Sequence, residues 1–287
     1  DSGRLVTIYH GYPNAGLERA NPSIRNYFNR RESIAAFASV ASFKDGSEVI
    51  QNATGSERVE VMRVTPEFFV TLGRLPALGR GFVDQDMDEG VSPSVVISDR
   101  YWRQKLDSRP DVIGQPIDIG GERRTIVGVL PPGFRYLSSD AQIFLPLVSN
   151  VEQRALNALY SEEAQMIARL KPGISPEQAQ AQIKADDLLQ SRGYPWLAEV
   201  TAAGYRATVT DLHADHVASI RPTLLLLQIG ALGLLLIGSV NLLNLVMIRA
   251  TTRHREMGVR RALGAARGHL LRQILSESVL LCLGGAL

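Results

Sequence analysis

Cysteine is almost missing from this chain of 287 residues: there is one, Cys282, so no disulfide can form within it. That leaves the redox compartment unmarked. Catalytic signatures are missing as well. No Gly-x-x-x-x-Gly-Lys-Ser/Thr cradle for nucleotide phosphates occurs. Nor is there a Gly-x-Ser-x-Gly elbow or a Cys/His nucleophile pair. Nothing in the chain therefore marks it as an enzyme, and no cofactor is expected. Net charge is small, with 31 basic and 29 acidic residues, so the composition carries no electrostatic footprint of nucleic-acid binding. The N-terminus, Asp1-Ser2-Gly3-Arg4, has no methionine, basic n-region or apolar h-region. A segment upstream, a first membrane helix, is expected to precede it.

The most informative absence is of charge between Leu224 and Ile248, 25 consecutive residues whose only polar side chains are Gln228, Ser239, Asn241 and Asn244. A helix needs roughly 20 apolar residues to cross a bilayer core about 30 Å thick, and this run suffices with tilt to spare. A buried helix of a soluble core is the competing reading, but such helices seldom run so far uncharged. After the run, residues 249–273 hold seven arginines against Glu256 alone. Short loops rich in Lys and Arg stay cytoplasmic, which places residues 1–220 outside the cytoplasm. Residues 221–287 carry 8 basic and 2 acidic side chains (+6), leaving 23 and 27 (−4) for the rest. Residues 274–287 are again mostly apolar and read as the start of a truncated second helix.

Upstream of the span the spacing predicts an α+β domain. Leu5–Tyr9 reads as a strand, Asn21-Pro22 as a helix cap, and Val59–Val64 as a half-buried strand. Thr65-Pro66 opens a short helix through Phe68, Phe69 and Leu72 that ends at Gly73. Residues 78–150 turn rich in Gly, Pro and Asp, with short strands at 94–98, 116–119 and 125–130 and a Gly120-Gly121 hairpin. This stretch is expected to be a separate β-rich lobe held by two chain crossings and inserted between residues 1–77 and 151–220. In the last of these, 164–170 is a strand, Ser175-Pro176 starts a helix with Ala181, Ala185 and Leu188 along one face, and 206–212 is a final strand.

Two acidic clusters invite a metal. Asp84-x-Asp86-x-Asp88 begins like a calcium loop, but Val95 stands at the closing twelfth position. Asp211, His213, Asp215 and His216 offer ligands that a strand end followed by a turn would scatter. No metal is expected at either. Asn52-Ala53-Thr54 fits a glycosylation sequon and reads as a plain turn. Within the apolar run, Gly238, Asn241 and Asn244 are spaced three apart. Small residues let helices approach in lipid, and asparagines seek a partner there, so this helix is expected to pack in a bundle.

Residues 255–265, Arg-Glu-Met-Gly-Val-Arg-Arg-Ala-Leu-Gly-Ala, resemble the signature of FtsX-like permeases, the membrane subunits of MacB-type ABC transporters. Asn241-Leu242-Leu243-Asn244-Leu245 looks like the end of the preceding helix of that family. Upstream, Phe68-Phe69-x-x-Leu72-Gly73, Leu78-Gly79-Arg80-Gly81-Phe82, Trp102, Val112-Ile113-Gly114-Gln115, Val127-Gly128-Val129-Leu130-Pro131-x-Gly133-Phe134 and Leu170-Lys171-Pro172-Gly173 resemble the MacB-like periplasmic core domain of the duplicated-permease subfamily.

The resemblance implies a porter-like βαβ part with an inserted β-rich lobe, followed by transmembrane α-helices, in a multi-pass protein of the bacterial inner membrane. It implies an ABC ATPase subunit or domain as partner, which uses the ATP, a second permease copy, the lipid bilayer, and periplasmic or outer-membrane partners. The ATPase-coupling loop would contain Arg255, Glu256, Met257, Gly258, Arg260, Arg261, Leu263 and Gly264. The role implied is export or extraction of a substrate by motion passed to the periplasm. The alternatives are an FtsX-style regulator of cell-wall hydrolases and a singly anchored binding module.

Overall fold

The first strand, β1 (Leu5–Tyr12), turns Val6 and Ile8 into a core. The computed structural model describes residues 2–262 apart from 53, 54 and 92. The chain divides into two units, Asp1–Ser219 and Ile220–Leu287.

In the first unit β1 is followed by β2 (Leu17–Ala20), α1 (Ile24–Ser33), β3 (Phe37–Asn52), β4 (Gly55–Val64) and α2 (Phe68–Leu72). The Gly- and Pro-rich stretch supplies β5 (Leu78–Gly79), β6 (Ser94–Ile97), α3 (Asp99–Lys105), β7 (Pro116–Ile119), β8 (Glu122–Val129) and β9 (Ile143–Pro146). Then come α4 (Val151–Arg154), β10 (Gln165–Leu170), α5 (Pro176–Gln190), α6 (Leu197–Ala202) and β11 (Arg206–Asp211). The strands join one sheet in the order β11-β1-β10-β3-β4-β9-β6-β8-β5, with β2 on β1 and β7 bridging β3 and β8. Pairing is antiparallel except at β4–β9 and β6–β8.

This arrangement changes the picture of an inserted lobe. β8 pairs with β5, β6 and β7 and not with β4 or β11, but the core these strands close also takes in Ile50 of β3 and Val59 and Val61 of β4. Moreover, β9 runs parallel to β4 over four residue pairs, and Ile119 of β7 meets Ile50 of β3. The attachment is therefore broader than two chain crossings, because one sheet is continuous through both parts. Met87, from the inserted stretch, is buried with Tyr27 and Val40 in the core beneath α1.

Three other expectations shift. The cap of α1 is Ser23, not Asn21, in a reciprocal capping box with Asn26. At α2 the Thr65 side chain accepts from the Ser42 amide instead of capping, and the helix begins after Glu67. On α5 the buried residues are Ala179 and Ile183, whereas Leu188 is exposed. That inner face carries Gln180 and Gln182, which hydrogen-bond the Val209 and Ala36 amides, and so it did not read as apolar.

Two glycines of the family-like motifs have a steric reason. A Cβ on Gly79 would lie 2.2 Å from the Val127 carbonyl oxygen, and one on Gly128 would lie 2.2 Å from that of Arg80. The β5–β8 contact closes only without side chains there.

Candidate functional site

β11 passes into α7 (Leu212–Ala262) with no intervening loop. The switch from strand to helix is made by Asp211, whose carboxylate accepts from the Ala214 amide at 2.8 Å as a helix cap does. Leu212 is buried in the same core as Phe43, Phe68 and Phe144. One turn on, Asp215 takes a bidentate pair from Arg19 of β2 at 2.6 and 2.9 Å. The Arg19 guanidinium lies 4.4 Å from the centre of the Tyr9 ring. The hydrogen bond to Asp215 raises the Arg19 pKa above its ordinary value, so this cation is fixed at any working pH. The first turn of α7 is thereby tied to the sheet by a cap, a buried leucine and a two-point ion pair. Local sequence carries no sign of the Arg19–Asp215 partnership, since its members stand 196 residues apart.

This geometry accounts for the suspected metal ligands. Asp211 caps, Asp215 pairs with Arg19, and His213 and His216 lie on the helix that follows. In the other cluster each carboxylate has its own arginine: Asp84 with Arg31, Asp86 with Arg80, and Asp88 with Arg154. Each of the three acids is thus drawn to a different arginine. Among the described residues no group of three metal-ligating side chains occurs. Ala53 and Thr54 of the sequon lie outside the described residues.

Further along, the helix over Leu212–Ile248 is apolar enough to cross a membrane, and its most apolar stretch of 18 residues has none of its residues buried against protein. Each exposed Leu or Ile forgoes about 1.5–3 kcal/mol of burial in water, and lipid removes that cost. Gly238, Asn241 and Asn244 are exposed along the helix, and among the described residues neither asparagine side chain finds a hydrogen-bond partner. Ser239, by contrast, donates to the Leu235 carbonyl at 2.7 Å and satisfies itself. Pro222 lies inside the helix, where it cannot donate to the Ala218 carbonyl. The backbone stays helical through Ala262, so Arg255, Glu256, Met257, Gly258, Arg260 and Arg261 continue α7 instead of forming a loop. Arg, Glu, Met and Ala favour helix, and one glycine is too little to stop it. Leu263 and Gly264 lie outside the described residues.

A sheet that runs without a linker into a long apolar helix narrows the choice of family, and comparison with known domains decides it. Residues 1–186 match the MacB-like periplasmic core domain, and residues 229–287 match the FtsX-like permease C-terminal domain. The chain belongs to the MacB-like permeases. It is a membrane protein with a periplasmic segment. The macrolide export ATP-binding/permease protein MacB of Chromobacterium violaceum is 29% identical over 231 residues, covering 79% of this chain and 34% of that protein. The protein of the same name from Shewanella sp. is 29% identical over 249 residues, covering 86% and 36%. The chain thus spans about a third of the length of the curated relatives it matches. A solved domain of a protein described as a permease from Porphyromonas gingivalis shares the fold at a TM-score of 0.55 and 17% identity, covering 74% of this chain and 91% of that one.

In this MacB-like core the motif residues have structural work to do. Phe69 packs against Phe68, Phe82, Phe134 and Phe144 with ring centres 5.6–6.1 Å apart, so the aromatic positions tie the inserted strands to α2. The Trp102 indole donates to the Arg109 carbonyl at 3.0 Å and closes the turn after α3.

Proposed function

We propose that the chain is part of the permease subunit of a MacB-type ABC transporter, passing ATPase-driven motion to the periplasmic domain for export or extraction of a substrate. The direct passage of β11 into α7 at Asp211–Leu212 carries this reading. A displacement of the membrane helix would reach the sheet through the cap, Leu212 and the Arg19–Asp215 pair, with no slack segment between. The arginine-rich stretch after Ile248 favours the cytoplasmic side. There Arg255, Arg260 and Arg261 would offer bidentate contacts to carboxylates of an ATPase subunit or domain, with Met257 and Leu263 filling a groove between them. The ATP would be used by that partner. Gly238, Asn241 and Asn244 would face other helices of a multi-pass bundle in the inner membrane. A second permease copy would complete the transporter, with periplasmic or outer-membrane partners beyond it.

The test is co-purification of the full-length Glu256→Arg and Leu263→Asp variants with the ATPase. Both changes leave the positive-inside bias able to set topology, so insertion should be normal while ATPase association falls at least tenfold. Normal complex and normal transport in both variants would mean that these residues serve only to hold the chain against anionic lipid.

A further inference from the structure

β11 ends the sheet on one side: its inner edge pairs with β1, and among the described residues no strand lies against its outer edge. The phase of that outer edge follows from one hydrogen bond. Val209 faces Ile8 across the ladder, yet its amide donates to the Gln180 side chain of α5 at 3.2 Å. In an antiparallel pair, residues that bond their partner alternate with residues that do not. The N–H and C=O of Ala207, two residues earlier, therefore also point away from β1. An edge residue with both groups unpaired is a template for one rung of a further strand.

Beside this edge lies a cavity of about 380 Å³ between α5, α6 and the start of β11, a volume in the range of small-molecule sites. Gln180, Lys184 and Leu188, four apart on α5, form one wall, and Leu197 and Val200 of α6 another. Gln180 meets Val209 and Asp187 meets Tyr205, so α5 runs antiparallel to β11 and Lys184 falls alongside Ala207. Among the described residues Lys184 has no ion-pair partner. The Gln180 side chain, its oxygen occupied by the Val209 N–H, keeps its amide nitrogen as a donor. The other charges nearby are already met. Arg206 pairs with Glu18, and Asp187 is turned to the Tyr205 hydroxyl at 2.9 Å and to Arg30 at 3.8 Å. Lys184 therefore sets the sign of the site.

We propose that this cavity binds an N-acylated amino acid with an apolar side chain and a free carboxylate. Its N–H donates to the Ala207 carbonyl while one carboxylate oxygen accepts from the Ala207 N–H, which completes the rung. The other oxygen accepts from the Lys184 ammonium and the Gln180 amide, and the side chain lies between Leu188, Leu197 and Val200. A free N-acyl acid and the last residue of a peptide share this chemistry. A long added strand does not fit, since Gln180 already closes the next outward amide at Val209.

The probe is N-acetyl-L-phenylalanine, titrated at pH 7 into the full chain in lipid nanodiscs and followed by ligand-detected NMR, with empty nanodiscs as the baseline. It should bind about tenfold more tightly than its neutral amide, N-acetyl-L-phenylalaninamide, the effect of one charge-assisted contact. It should also bind more tightly than 3-phenylpropionate, which keeps the charge and lacks the N–H. Lys184→Gln should weaken binding about tenfold, and Lys184→Arg should restore most of it. Ala207→Pro deletes only the outward N–H, a place where an edge strand tolerates proline. It should weaken binding about tenfold with an unchanged melting temperature. A tetrapeptide ending in phenylalanine identifies the source: tighter binding than the acetyl compound marks a peptide terminus, equal or weaker binding a free N-acyl acid. No binding of the probe, affinity equal to that of either comparison compound, or unchanged binding in Lys184→Gln would overturn the proposal. So would unchanged binding in a folded Ala207→Pro variant. No ATPase is needed, so failure here would leave the transport reading untouched.

Discussion

Arg30→Met is expected to destabilise the 1–219 unit by about 3–5 kcal/mol, the cost of stranding a buried charge. Arg30 is 1% exposed, with one guanidinium nitrogen 2.7 Å from His10 Nε2 and 3.8 Å from the Asp187 carboxylate. Tyr205 completes the group, its hydroxyl donating to Asp187 at 2.9 Å and lying 3.2 Å from His10. These residues link β1, α1, α5 and the approach to β11, so the loss should be of cooperative folding and not of one surface contact. The double variant Arg30→Met with Asp187→Asn should recover most of the stability, because no unpaired charge then remains inside. Chemical denaturation of both variants decides it; a double variant no better than the single one would show that packing, not charge, is what Arg30 supplies.

The same group sets a pH dependence. Burial, and then Arg30, holds His10 well below its ordinary value. The unfolded chain therefore takes up a proton near pH 6.5 that the folded chain refuses. Stability should fall as pH drops below about 6.5, by up to about 1.4 kcal/mol per pH unit. Asp187 works in the opposite sense: burial raises it, so its folded form gains a proton early and recovers stability at lower pH. His10→Gln should remove the decline between pH 6.5 and the Asp187 titration.

Much of this architecture was legible in the residues. The turns at Gly73, Gly120-Gly121 and Gly173 adopt positive φ where glycine stood to permit it, and the capping box at Ser175 starts α5 where expected. What escaped reading was held by long-range partners. β3 carries Ser39, Ser42, Lys44, Asp45, Gly46 and Ser47, too polar and too small for an alternating pattern, yet β10 and β4 on either side make it a central strand. β9 is four buried residues, too short to show a period. The Arg30 network had one local clue, that Arg30 follows Tyr27 by three on the inner face of α1; nothing local named His10, Asp187 or Tyr205.

A Gly-Ser-Gly-Ser insertion between Asp211 and Leu212 should have the largest effect on function. It separates the Asp211 cap from its helix and lets Leu212 leave the core, changes worth about 1 kcal/mol for the cap and about 1.5–3 kcal/mol for the leucine. The sheet and α7 would each still form, but the direct passage of β11 into α7 would be gone. In the assembled transporter, ATP hydrolysis should persist while substrate movement falls at least tenfold. The same insertion between Gly120 and Gly121 should be tolerated, since that hairpin tip is exposed. Full transport with the junction insertion would show that force reaches the periplasmic domain by another route.

The account rests on α7 crossing the membrane with the sheet on one side and the arginine-rich stretch on the other, and cysteine labelling tests that most directly. In the full-length protein with Cys282→Ser and any other native cysteines removed, cysteines at Ser56 and Gly268 are exposed separately to a membrane-impermeant maleimide in intact spheroplasts and then after lysis. The account predicts that position 56 labels in intact cells and position 268 only after lysis. Labelling of both from outside, or of neither, would contradict it.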